Sequence, residues 1–86
     1  MKTEAILTQI LEDVIGVRNV GRDARFPDIG GNSLNLVQVL KQIKERTGVA
    51  PAPRMFFDKS QSTVAALSAA IDAQREYSRS TVSAAD

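Results

Sequence analysis

The sequence predicts an all-α fold, a small four-helix bundle with three main helices, a short third helix and a long first loop. Apolar residues recur at helical spacing in residues 3–15, 33–47 and 63–77, and a glycine follows each of the first two stretches. With 86 residues, 43% of them hydrophobic, the chain can form one domain with a modest core. We expect that domain over residues 1–78 and a disordered tail over 79–86, where Ser, Thr, Ala and charged residues prevail.

The first predicted helix has one apolar face. Thr3 is the expected N-cap, Glu4 suits the positive end of the helix dipole, and Gly16 is the expected stop. The pattern indicates a helix that packs into the core and has no further role. The apolar face consists of Ile6, Leu7, Ile10, Leu11, Val14 and Ile15.

Residues 16–32 are predicted to form a long but ordered loop. A loop of this length without anchors is uncommon in a compact domain, so its apolar residues should hold it across the helices. Pro27 stiffens the approach to the next helix. We therefore expect the loop to deliver Ser33 to a fixed position. The expected anchors are Val17, Val20, Phe26 and Ile29.

The second predicted helix, residues 33–47, has a buried stripe and an opposite face that reaches solvent. Gly48 follows as a C-cap. Leu34 lies on the solvent side and Val37 at the margin of the apolar face, and an apolar residue exposed there could belong to a docking patch. The predicted buried stripe is Leu36, Val39, Leu40 and Ile43, and the opposite stripe is Leu34, Gln38, Lys41 and Glu45.

The sequence after Gly48 predicts an extended link and two further helices. Residues 49–53 contain two prolines and read as extended, and residues 54–59 form the short third helix. At least two of the three phenylalanines should lie in the core, although a Phe–Phe pair could also border a ligand groove. Ser62 or Thr63 caps the last helix, which runs to about residue 77.

Composition excludes several classes of function. The chain has no Cys and no His, so it forms no disulfide, no Cys or His zinc site and no His-dependent catalytic group. Its formal net charge of +1 gives no strong attraction to nucleic acid. No apolar run is long enough to cross a bilayer, and the N-terminus is unlike a secretory signal. We expect a cytoplasmic monomer with no metal site, no nucleic-acid partner and no membrane contact.

The junction between the first loop and the second helix is the candidate site. Gly30 and Gly31 can adopt backbone angles closed to other residues, and Ser33 stands where an N-cap belongs. Its hydroxyl should be exposed, and an anion attached to it would be stabilised by the first backbone N–H groups of the helix. The same pattern also starts many ordinary helices. Because the chain has no His to serve as a general base for this hydroxyl, an outside catalyst would have to act on it.

With these features together, the chain resembles phosphopantetheine-dependent carrier proteins, of the peptidyl carrier (thiolation domain) type of nonribosomal peptide synthesis. The stretch 26–34, Phe-Pro-Asp-Ile-Gly-Gly-Asn-Ser-Leu, is similar to the attachment signature of that family. Phe56-Phe57-Asp58 and the stretch 63–67, Thr-Val-Ala-Ala-Leu, resemble later landmarks in the same order. The resemblance covers about residues 4–75.

The resemblance implies an acyl-carrier-protein-like fold and a protein that catalyses nothing itself. A phosphopantetheinyl transferase would attach 4′-phosphopantetheine to Ser33, with Gly31 and Asn32 beside it. The thiol of the arm would carry an aminoacyl, peptidyl or acyl group as a thioester between an adenylation enzyme and condensation, ketosynthase or tailoring enzymes. These partners would dock on Leu34, Val37, Gln38 and Lys41.

Some positions depart from the family pattern. Fatty-acid carriers usually have Asp where this chain has Asn32, and their second helix is strongly acidic, whereas this one carries Lys41, Lys44 and Arg46 against Glu45 alone. The basic balance and the glycine pair favour the peptidyl subgroup or a hybrid peptide–polyketide pathway. The link over residues 58–63 is about two residues longer than usual. The start at Met1 favours a free-standing carrier.

Two other functions fit parts of the sequence. An unmodified helical interaction module would use the Leu34/Val37 patch to bind a partner helix or groove. A small nucleic-acid binder would need a clustered basic face, which the +1 charge disfavours.

Overall fold

The fold is all-α, as predicted. The computed structural model describes the backbone of residues 2–85 and the side chains of residues 2–76. Within that part of the chain there is no strand, only an isolated antiparallel bridge between Arg25 and Thr63. The elements in chain order are α1 (Lys2–Leu11), a π-helical turn (Glu12–Gly16), a first 3₁₀ turn (Pro27–Ile29), α2 (Ser33–Thr47), a second 3₁₀ turn (Pro53–Phe57) and α3 (Val64–Ala85).

The first helix differs from the prediction in its last turn and in its cap. It is regular only to Leu11 and widens into the π-helical turn, which ends at Gly16 with φ +83°, so the predicted stop is confirmed. Thr3 is not the N-cap. It lies inside α1, is buried, and donates its hydroxyl hydrogen to the Asp72 carboxylate of α3. The Thr3 hydroxyl is therefore used in a tertiary contact with α3 and does not cap α1.

One apolar core joins the three helices and the first loop. The rings of Phe26 and Phe56 meet edge to face, with centroids 5.3 Å apart, and both are fully buried. The prediction that at least two phenylalanines lie in the core is confirmed. The other buried apolar residues are Leu7, Ile10, Leu11, Leu36, Val39, Ile43, Val49, Val64, Leu67 and Ile71.

The first loop is tied to the start of α3 by backbone hydrogen bonds. The Phe26 N–H donates to the Ser62 carbonyl at 3.0 Å, the Val64 N–H donates to the Ala24 carbonyl at 3.0 Å, and the Ala65 N–H donates to the Arg22 carbonyl. Val20, Phe26 and Ile29 are anchored in or against the core as predicted, and Val17 is half-buried. These contacts hold the segment before α2 in place.

The later elements follow the predicted order with shifted ends. The short third helix is a 3₁₀ turn at Pro53–Phe57, and α2 ends at Gly48 with φ +79° as expected. Thr63, rather than Ser62, caps α3, since its hydroxyl oxygen accepts the Ala66 N–H at 3.1 Å.

The last helix, α3, extends further than the sequence predicted. It is described to Ala85, beyond the predicted end near residue 77. The side chains of residues 77–86 lie outside the described residues, and the disordered tail over 79–86 stays a prediction. Among the described residues, no helix combines the length and apolar composition that crossing a membrane requires.

Candidate functional site

A tight backbone loop precedes α2. The Gly30 N–H donates to the Pro27 carbonyl at 3.3 Å, and the Gly31 N–H donates to the Phe26 carbonyl at 2.9 Å. Gly30 has φ +99°, in the left-handed region where a side chain is strained. Glycine at this position therefore lets the chain turn back on itself directly before the helix.

Gly31 is required for a different reason, which is the space taken by the Phe26 ring. A Cβ atom on Gly31 would lie 2.5 Å from two carbons of that ring. Phe26 cannot retreat easily, because its ring is buried against Phe56. The aromatic residue and the second glycine are thus one packing unit, five residues apart in sequence.

The residue that caps α2 is Asn32, which corrects the assignment of this role to Ser33. Asn32 has extended backbone angles and its Oδ1 accepts the Asn35 N–H at 2.9 Å. The Asn35 side chain in turn donates from Nδ2 to the Gly30 carbonyl at 3.2 Å. Both Asn and Ser are good caps, and the hydrogen bonds of the preceding loop place Asn32 at the junction. Ser33 is the first residue inside the helix.

Because Asn32 is the cap, the Ser33 hydroxyl is not used in capping α2. Its side chain is exposed, and no described residue hydrogen-bonds to that hydroxyl. The backbone N–H groups of Ser33 and Leu34 likewise have no acceptor in the described part of the chain, whereas those of Asn35 and Leu36 bond to Asn32. A nucleophilic oxygen, two free donors and the positive end of a helix dipole therefore coincide.

The four residues predicted to meet partners lie on one exposed face of α2. They stand at helical spacing and none is buried. Leu34 is 82% exposed and Val37 is 63% exposed, large values for apolar side chains. We call this set, Leu34, Val37, Gln38 and Lys41, the α2 face. The α2 face therefore begins directly beside Ser33.

Phe57 is the phenylalanine that lies outside the core, and it is 46% exposed. Its ring meets Phe26 edge to face at 5.7 Å, and Phe26 in turn contacts Gly31. An exposed aromatic ring therefore belongs to the neighbourhood of the site.

Comparison with known proteins gives a consistent result. Residues 5–71 match the family described as "Phosphopantetheine attachment site". The chain is 44% identical over 46 residues to the dimodular nonribosomal peptide synthase of Bacillus subtilis, covering 54% of this chain and 2% of that protein. It is 37% identical over 62 residues to the hybrid PKS-NRPS synthetase mycA of Thermothelomyces thermophilus, covering 72% of this chain and 2% of that protein.

A third relative shows the same relation of size. A linear gramicidin synthase of Brevibacillus parabrevis is 32% identical over 68 residues, covering 79% of this chain and 1% of that protein. The chain thus spans only 1–2% of the length of these relatives. The family match spans more than half of this chain and includes the whole segment from Phe26 through α2. The chain belongs to the phosphopantetheine attachment family, whose members hold 4′-phosphopantetheine covalently on a serine.

Proposed function

We propose that Ser33 is the serine that receives the 4′-phosphopantetheine arm, and that the chain acts as a carrier protein in nonribosomal peptide or hybrid peptide–polyketide synthesis. The observation that carries the proposal is the exposed, uncommitted Ser33 hydroxyl in the first turn of α2. The names of the relatives, which are peptide synthases and a hybrid synthetase, support the pathway class.

The residues around Ser33 fit a phosphodiester. The free N–H groups of Ser33 and Leu34 can donate to its oxygens, and the helix dipole favours the negative charge there. Asn32 keeps the helix start open by satisfying the Asn35 N–H, and Gly31 adds no side chain beside the oxygen. When attached, the arm supplies a terminal thiol that holds an aminoacyl, peptidyl or acyl group as a thioester.

This chain contributes position and recognition, while the chemistry comes from partner enzymes. It has no Cys and no His, so a nucleophile–base pair of the usual kinds cannot be assembled from it. We infer that a phosphopantetheinyl transferase, an adenylation enzyme and condensation, ketosynthase or tailoring enzymes act on it in turn. The α2 face, next to Ser33, is the surface they would meet first.

The test is the intact mass of the protein after incubation with coenzyme A, Mg²⁺ and a broad-specificity phosphopantetheinyl transferase. We expect the wild type and Ser60→Ala to gain one arm, and Ser33→Ala to gain none. Ser60 is a matched control because it is also an exposed serine, in the link before α3. No gain on wild type, or an equal gain on Ser33→Ala, contradicts the proposal.

A second candidate function is an unmodified interaction module that binds through Leu34 and Val37. The large exposure of these two side chains is the observation in its favour. The two functions separate cleanly, because the module predicts that Ser33→Ala keeps all activity and that only Leu34→Asp removes it. The carrier predicts that both variants fail, one at attachment and the other at docking.

A further inference from the structure

Asn35 connects the first turn of α2 to the glycine turn on the other side of Ser33. Its backbone N–H donates to the Asn32 Oδ1 at 2.9 Å, and its side-chain Nδ2 donates to the Gly30 carbonyl at 3.2 Å. The residue is half-buried, although it lies in the first turn of the helix. Ser33 therefore belongs to a short closed segment, residues 30–35, whose two ends are joined by the Asn35 side chain.

The peptide between Gly30 and Gly31 is the part of this segment with the most conformational freedom. Gly30 has φ +99°, and the residue after it is also a glycine, so no Cβ restricts the backbone on either side of that peptide. The direction of the Gly30 carbonyl depends on how the peptide is rotated. The hydrogen bond from the Asn35 amide holds this carbonyl in one direction, where glycine alone would permit several.

The direction of the Gly30 carbonyl decides whether the N–H groups of Ser33 and Leu34 stay free. Helical backbones pair an N–H with the carbonyl three or four residues earlier, and Gly30 stands three residues before Ser33 and four before Leu34. It is therefore the carbonyl that helical geometry offers to both donors. In the described part of the chain neither N–H is bonded to it, and its partner is the Asn35 side chain.

Resting on the proposed function of Ser33, we propose that Asn35 is a positioning residue for attachment of the phosphopantetheine arm. Its side chain keeps the Gly30 carbonyl away from the N–H groups of Ser33 and Leu34, which then donate to the phosphoryl oxygens. In the attachment step the Ser33 oxygen bonds to the phosphorus that bears the pantetheine, and the bond from that phosphorus to the bridging oxygen of coenzyme A breaks. Adenosine bisphosphate leaves, and a base of the transferase takes the hydroxyl proton.

The first measurement is the rate of attachment in single turnovers, with a broad-specificity transferase in excess and its concentration varied. Asn35→Leu removes the donor without adding charge. It should lower the rate constant at saturation about tenfold, because donors placed in advance stabilise the charge that develops on the phosphoryl group. The half-saturating concentration should change by less than about twofold, because the α2 face is untouched. Asn35→Gln keeps an amide and should lower the rate constant less than about threefold.

Two controls separate this role from a general loss of stability. Gln42→Leu makes the same change of side chain at another half-buried site of α2, seven residues on and far from the glycine turn. Thr63→Ala loosens the start of α3 by removing its cap. At a temperature where all variants are folded, both should stay within about twofold of the wild-type rate constant.

The second measurement is the exchange of the Ser33 and Leu34 amide protons with water, followed by NMR before and after attachment. Attachment should slow both about fivefold in wild type, and by less than about twofold in Asn35→Leu that has been modified by long incubation. Equal slowing in the two proteins, an unchanged rate constant in Asn35→Leu, or a rise in half-saturating concentration alone would overturn the proposal. A wild type that gains no arm instead overturns the proposed function, and this inference with it.

Discussion

The starts of α2 and α3 use the same capping chemistry but offer their serines very differently. At α2, Asn32 accepts the N–H of the residue three positions on, and at α3 Thr63 does the same. A serine adjoins each cap. Ser33 follows its cap and is exposed, whereas Ser62 precedes its cap and is buried.

The difference comes from what lies over each junction. The first loop runs past the start of α3, and its hydrogen bond from the Phe26 N–H to the Ser62 carbonyl keeps that serine covered. At α2, the turn closed by Gly30 and Gly31 directs the chain outward, and the helix begins at the surface. A serine at a helix start is therefore a candidate for modification only where the tertiary structure leaves it uncovered.

Gly31→Ala should have the largest effect on stability, because it changes the turn that exposes Ser33. The new Cβ would collide with the buried Phe26 ring, so the free energy of unfolding should fall by about 1–3 kcal/mol, as for other overpacked sites. Urea denaturation measures it.

Two further variants show whether the ring contact is the cause. Gly21→Ala is the control, because a Cβ there has no heavy atom within 4 Å and Gly21 has no positive φ. Adding Phe26→Leu to Gly31→Ala should cost less than the sum of the two single changes, because the smaller side chain relieves the collision. Equal unfolding midpoints for wild type and Gly31→Ala would show that the ring contact is not tight.

Next in size are the two caps, which test how alike the helix starts are. Asn32→Ala and Thr63→Ala should each lower the free energy of unfolding by about 1 kcal/mol, because each frees a backbone N–H that the side chain now satisfies. Asn32→Asp keeps the acceptor and adds a favourable charge at the helix N-terminus, so it should not destabilise. Chemical denaturation of the three variants provides the comparison. A stable Asn32→Ala would mean that the loop, not the cap, fixes the start of α2.

The sequence could predict those parts of the site that depend on neighbours in the chain. The limits of α2, from Ser33 to Thr47, were correct because Gly48 and the polar residues before Leu34 are local signals. The exposure of Leu34 followed from helical periodicity alone.

Features that depend on the three-dimensional structure could not be predicted from the sequence pattern. Asn32 and Ser33 are both good caps, and the turn hydrogen bonds of the preceding loop decide between them. The hydroxyl of Thr3 bonds to Asp72, 69 residues away, and no local pattern announces such a contact. The collision that makes Gly31 necessary likewise appears only once the position of the Phe26 ring is known.

A smaller effect is expected at the serines that the fold covers. The hydroxyls of Ser62 and Ser68 are buried without a hydrogen-bond partner among the described residues. Replacing either with Ala removes an unsatisfied polar group, so stability should be unchanged or rise by up to about 1 kcal/mol. Ser33→Ala, at the exposed junction, should stay within about 0.5 kcal/mol of wild type. Thermal unfolding of the three Ser→Ala variants measures these differences. A clear loss of stability in Ser68→Ala would show that the Ser68 hydroxyl has a hydrogen-bond partner.

The smallest expected effect is a difference in the response of the two junctions to acid. Hydrogen bonds at the start of α2 are made by backbone and amide groups, which do not titrate. The link before α3 contains Asp58, whose carboxylate accepts the hydroxyl and backbone N–H of Ser60. The Ser60 side-chain hydrogen bond, followed by the backbone bonds, lowers the pKa of Asp58 below its ordinary value of 3.8.

The pKa of Asp58 is lower in the folded protein than in the unfolded chain. These hydrogen bonds therefore stabilise the fold at pH values above the unfolded pKa, and their contribution is lost as the pH falls through the folded pKa. Asp58→Asn should therefore lower the thermal midpoint slightly at neutral pH, and its difference from wild type should shrink on acidification. Asn32→Ala, which removes a hydrogen-bond acceptor that does not titrate, is the control and should show no such convergence. If the difference in thermal midpoint between wild type and Asp58→Asn stays constant with pH, the charge of Asp58 does not stabilise the link before α3. The starts of α2 and α3 would then be equally insensitive to acid.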